Sequence, residues 1–126
     1  MLVYKNSAGS GMTKVSIPKF EMLKANNTPI SRKEITDFMR YISKIYPNLP
    51  KLFIQLSNRQ TTRRWGTAFP KQNKIILYRH SVLVFLHEVA HFVSPPERIG
   101  GKWDIHGSKF GQALTGLYRE WKSVMS

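Results

Sequence analysis

The sequence predicts an α+β fold: a helix, then a three-stranded and mostly antiparallel sheet, then an apolar helix and a C-terminal helix. Three observations predict it. Ile35, Phe38, Met39, Ile42 and Ile45 recur at helical spacing behind a capping box formed by Ser31 and Glu34. Three short β-rich runs follow, separated by turn residues. Two helical stretches then close the chain, so strands and helices are grouped rather than strictly alternating.

The first helix ends at Pro47 and Pro50, because proline cannot continue a helix. Leu52–Leu56 reads as a buried strand. Arg63–Phe69 and Lys74–Tyr78 read as a hairpin, joined by the turn residues Pro70-Lys71-Gln72-Asn73. Ser81 is a natural N-cap for a helix over Val82–Val93, which Pro95-Pro96 stops. A loop containing Gly100-Gly101 leads to His106-Gly107. The last helix runs from about Ser108 to Val124, with Phe110, Ala113, Leu114, Leu117, Trp121 and Val124 on its apolar face. Residues 1–28 are expected to be flexible or loosely docked. Asn6–Gly11 is small and polar, and Lys14–Lys24 alternates weakly, as a short docked strand would. The domain proper is expected to span residues 29–126.

The chain has 126 residues, enough for one modest core. It has no cysteine, which excludes disulfides and thiolate metal sites and leaves His, Asp and Glu as metal ligands. Residues 1–13 lack the apolar run of a secretory signal, and the longest apolar run is Val82–Leu86. A cytoplasmic protein without a membrane span is therefore expected. Twenty Lys and Arg against seven Asp and Glu give a net charge of +13. Such a field attracts polyanions, with nucleic acid first and acidic protein surfaces second. Arg59, Arg63, Arg64, Lys71, Lys74 and Arg79 cluster around the predicted hairpin, with Trp65 and Phe69 among them. Cations interleaved with aromatics can grip single-stranded nucleic acid; the plainer alternative is solvated cations with Trp65 and Phe69 in the core.

The strongest chemical signal is His87-Glu88-Val89-Ala90-His91. On a helix, residues i and i+4 share a face, so both imidazoles can address one metal ion. Glu88 lies one residue on, where its carboxylate can reach a water at the metal without being a ligand. Val82–Leu86 before the motif and Phe92-Val93 after it make this a core helix, where two imidazoles and a carboxylate are costly unless a cation compensates them. A catalytic zinc needs three protein ligands. Glu97 sits beside Pro95-Pro96, too near the helix end to fold back. Glu120 lies far along the last helix, and Asp104 is a turn residue or an orienting partner. His106 is the best third ligand, because the glycine-rich stretch before it lets the chain return.

With His106-Gly107-x-x-Phe110 following His87-Glu88-x-x-His91, and Gly66-Thr67-Ala68 on the strand before, the sequence resembles the SprT-like (Spartan-type) zinc metallopeptidases over about Arg63–Trp121. The resemblance implies a small zincin-like domain with one zinc per chain, held by His87, His91 and His106, and Glu88 as catalytic base. It also implies cleavage of DNA-associated proteins. The chain departs from the family in having no downstream cysteine set for a zinc ribbon, so any DNA contact would rest on its basic surface. The expected substrate is a protein or peptide lying along the edge of Arg63–Phe69. Tyr78, Arg79 and His80 are open candidates for the donor that stabilises an oxyanion. The competing reading is a basic nucleic-acid-binding module with a structural or vestigial zinc site. A third is a regulatory protein that uses the fold for contacts alone.

Overall fold

The computed structural model describes residues 17–59, 61, 63–94, 97–99, 102–104 and 106–125. Its elements are α1 (Lys19–Asn26), α2 (Arg32–Ile45), β1 (Phe53–Leu56), β2 (Gly66–Phe69), β3 (Lys74–Leu77), α3 (Val82–Val93), β4 (Glu97–Ile99), β5 (Lys102–Asp104) and α4 (Ser108–Met125). The α+β class is as expected.

The principal sheet has the order β1-β3-β2. The expected hairpin is present, with β2 antiparallel to β3 from Gly66↔Leu77 to Phe69↔Lys74. A short 3-10 turn over Pro70–Gln72 reverses the chain, and Asn73 completes it at φ 50°. Asparagine tolerates this left-handed conformation better than most residues. β1 joins on the other side of β3 and runs parallel to it. The sheet is therefore mixed, with one interface of each kind, and β2 forms an edge of it.

The capping box of α2 is formed: Glu34 N–H donates to Ser31 Oγ at 3.1 Å and Ser31 N–H to Glu34 Oε1 at 2.9 Å. Ser81 caps α3 by accepting from Val84 N–H at 3.2 Å. α3 is the centre of the fold. Val82 to Leu86, Glu88, Val89 and Ala90 are all buried along it. Phe38 of α2, Phe85 of α3 and Trp121 of α4 pack edge to face, with ring centroids 5.1–6.2 Å apart. Truncating a ring so enclosed costs about 3–5 kcal/mol, so this cluster fixes α3 against the outer helices. Among the described residues, no helix is long and apolar enough to cross a membrane.

Two expectations are corrected. The part of Lys14–Lys24 that is described is not a strand: Lys19–Asn26 is helical, following Pro18. Weak alternation misled because Met22, Ala25 and Asn26, spaced three and four apart, are the buried positions. Ile17, Met22 and Ala25 belong to the main core, so residues from 17 onward pack with the domain. Glu21 of α1 accepts from Tyr118 Oη at 2.7 Å and from Lys122 Nζ at 2.8 Å, tying α1 to α4. Residues 1–16 lie outside the described residues. The second correction concerns the stretch before His106. It contains an antiparallel pair, Glu97↔Asp104 to Ile99↔Lys102, rather than only a loop. The signal was present in the sequence, since two residues, Gly100-Gly101, separate the runs.

Candidate metal centre

α3 presents His87 and His91 one turn apart, and the turn just before α4 brings His106 to them. Nε2 of His87 lies 3.2 Å from Nε2 of His91 and 3.3 Å from Nε2 of His106. One nitrogen from each of the three falls within 4.8 Å of the others. Ligands about 2.0–2.1 Å from a tetrahedral zinc sit about 3.3–3.4 Å apart. Both of these nitrogen separations match that spacing, so this donor set fits a small divalent metal.

Phe110 fixes the three rings from below. Its centroid is 5.1 Å from that of His87, 4.7 Å from His91 and 4.8 Å from His106. Phe110 is buried in the first turn of α4, four residues beyond His106, so the entry to α4 supplies a donor and its first turn the apolar floor beneath the donors. Burial pushes the His87 pKa well below the ordinary histidine value, with the His91 and His106 charges adding to the effect. Burial, then the His106 charge, lowers His91 to about 4. These shifts favour neutral imidazoles at His87 and His91, with lone pairs to share at neutral pH. With the His106 nitrogen converging on the same point, the three rings could hold a cation.

Glu88 is 6% exposed, and its Oε2 lies 4.0 Å from His87 Nε2. Desolvation raises its pKa to about 7. A glycine makes room for it. A Cβ built on Gly66 would lie 3.0 Å from Glu88 Cγ, Glu88 Oε2 and Val84 Cγ1, tighter than nine in ten Cβ contacts in real proteins, so these side chains would have to give way. The edge strand β2 therefore meets the carboxylate with bare backbone. In the sequence Gly66 stands out only as part of the Gly66-Thr67-Ala68 run; the close approach of strand and helix that favours a glycine there has no local signal.

Other expected residues separate. Glu120 accepts from Tyr41 Oη at 2.6 Å and is not in the metal-ligand group. Glu97 and Asp104 are opposite each other in the β4–β5 ladder; their side chains lie outside the described residues. Of the residues expected to hold nucleic acid, Lys71 lies in the hairpin turn and Lys74 faces Phe69 beside it. Trp65 and Arg79 lie at the other end of the hairpin, with the Arg79 guanidinium 4.9 Å from the Trp65 ring centroid. Arg59, Arg63 and Arg64 are exposed in the connection leading to that end. The candidate cations thus form two groups.

Tyr78, Arg79 and His80, the open candidates for oxyanion stabilisation, line a cavity of about 680 Å³ together with Ser57, Asn58, Thr61 and Trp65. Tyr118 is engaged with Glu21. Compared with models of known families, with curated proteins and with solved structures, the chain finds no match.

Proposed function

We propose that this chain is a zinc-dependent endopeptidase, with His87, His91 and His106 as metal ligands and Glu88 as general base. The observation that carries the reading is the convergence of three imidazoles with one desolvated, unligated carboxylate beside them. A purely structural site has no need of that carboxylate.

Zinc is the metal this reading favours, because three imidazoles suit it and three protein ligands leave one position open. A zinc ion held there would polarise a peptide carbonyl and make water acidic near neutral pH. The chain's own residues supply the rest. Glu88 takes the proton from the attacking water and returns it to the departing amine nitrogen. Glu88 is itself buried, which keeps most bulk water from the carboxylate. The edge of β2 offers main-chain groups to an extended substrate, and Gly66 keeps that edge close to Glu88. The net charge of +13 favours substrates that are themselves associated with DNA.

The same charge favours the second reading, a nucleic-acid-binding module whose zinc is structural. Metal analysis of the purified protein beside His106→Ala separates the possibilities. The peptidase reading expects about one zinc per chain, lost or much weakened in the variant, and proteolysis abolished by Glu88→Gln with zinc retained. Equal proteolysis by Glu88→Gln removes Glu88 from its role. Tight zinc with no proteolysis by the wild type, with or without DNA, favours the binding module.

A further inference from the structure

The cavity lined by Ser57, Asn58, Thr61, Trp65, Tyr78, Arg79 and His80 has a uniform chemistry. Every one of the seven side chains carries a hydrogen-bond donor, and none is acidic. His80 Nε2 lies 2.7 Å from the Ser57 carbonyl, so that nitrogen carries the proton and the ring is fixed. Ser57 Oγ accepts from Arg59 N–H at 3.1 Å and Thr61 Oγ1 from Arg63 N–H at 3.2 Å. Each hydroxyl is thereby held in place with its own proton still to donate.

Arg79 is the charged member, and it is pre-positioned. Its Nε donates to the Asn26 carbonyl at 3.1 Å, one Nη donates to Asn27 Oδ1 at 2.9 Å, and its plane lies over Trp65. No carboxylate pairs with it among the described residues. A half-buried cation among donors, with no counter-ion, is an anion site. Exposed Arg59 and Arg64, next in sequence to the lining residues Asn58 and Trp65, and exposed Arg63 between them add to the positive field of this stretch.

Position relates this cavity to the metal centre. Trp65 lines it, and the next residue, Gly66, abuts Glu88. A chain added to the edge of β2 and reacting beside Glu88 continues past Trp65 into the cavity. Resting on the peptidase reading, we infer that the cavity is a substrate subsite for an acidic side chain, an Asp or Glu a short distance from the scissile bond. The substrate class is then an acidic peptide segment, and Tyr78, Arg79 and His80 act in selection rather than at the oxyanion.

The test uses two fluorescent peptides that differ only in Glu against Gln, chosen from the cleavage sites of a randomised peptide library. Binding is measured by anisotropy on full-length Glu88→Gln protein, so that no cleavage is needed. Cleavage by the zinc-loaded wild type is measured in parallel. The expected preference for the Glu peptide is about tenfold in both. Arg79→Gln abolishes it. Because Arg79 also holds α1, Asn58→Asp serves as the second variant; it places an acid in the cavity at an exposed position and inverts the preference. Equal binding of the two peptides overturns the subsite, and continued cleavage would leave the peptidase reading standing. Selective binding of the Glu peptide without any cleavage supports the acid-binding cavity and sinks the peptidase reading instead. A single-stranded oligonucleotide that displaces the Glu peptide and itself loses affinity in Asn58→Asp assigns the cavity to nucleic acid and overturns the inference.

Discussion

Glu21 and Glu88 are two carboxylates on helices that pack together, and the fold treats them in opposite ways. Glu21 receives Tyr118 Oη and Lys122 Nζ, and those two hydrogen bonds hold its pKa below the ordinary value. Glu88 is buried, receives no hydrogen bond among the described residues, and has its pKa pushed up to about 7 by desolvation. A satisfied acid joins elements together. An acid stripped of water and left without donors costs stability, and such groups concentrate where proton transfer is the purpose. The contrast singles out Glu88 as the candidate for proton transfer without reference to the motif.

The largest expected effect that tests this contrast is on turnover. Glu88→Gln lowers peptidase kcat by about 10²–10⁴-fold while zinc content stays near wild type; Glu21→Gln leaves kcat within about twofold of wild type. A comparable loss from both would erase the distinction. Next is Gly66→Ala. Its methyl group meets Glu88 Cγ and Oε2, so kcat falls by about ten- to a hundredfold while zinc stoichiometry is unchanged. Unaltered kcat would mean that the carboxylate relaxes at no cost to its function.

Stability sharpens the comparison further, with opposite signs at the two acids. The folded pKa of Glu88 lies above its unfolded value, so its protonated form contributes stability below pH 4.5 that is lost as pH rises through about 7. In metal-free protein, Glu88→Gln is accordingly the more stable chain at pH 8, by on the order of 2–3 kcal/mol. The difference shrinks as pH falls from about 7 to 4.5, and urea melts at several pH values measure it. The folded pKa of Glu21 is depressed, so its contribution is present above pH 4.5 and lost as pH falls through the lowered value. Glu21→Gln therefore gives a small drop in Tm at neutral pH, and the two chains converge in acid. This is the smallest effect, because the pair with Lys122 is substantially exposed to solvent.

Much of this architecture was legible from local pattern. Ser31 and Glu34 announced α2, Ser81 announced α3, and the turn residues before Lys74 announced the hairpin, because capping and turn chemistry act within a few residues. The candidate metal-holding group was legible for the same reason: His87 and His91 lie one turn apart, and His106 comes two residues before a helix. What escaped depends on contacts distant in sequence. The parallel seating of β1 beside β3 is chosen by the whole sheet. α1 is held by Tyr118 and Lys122, about a hundred positions away, and its own pattern was too short and too polar to read as a helix. The fit of Gly66 against Glu88 joins a strand to a helix, and no window of sequence contains both the strand's path and the helix's depth.

Arg79 has a consequence for the N-terminal helix. Its side chain grips Asn26 and Asn27 at the end of α1 while forming part of the cavity wall. An anion drawn to that guanidinium meets it in the orientation that the docked helix imposes, and occupancy in turn favours the docked helix. The two events share one free energy, so the backbone amides of Lys19–Asn26 become a remote gauge of whether the cavity is filled, readable as slower hydrogen exchange in a helix that the ligand never touches.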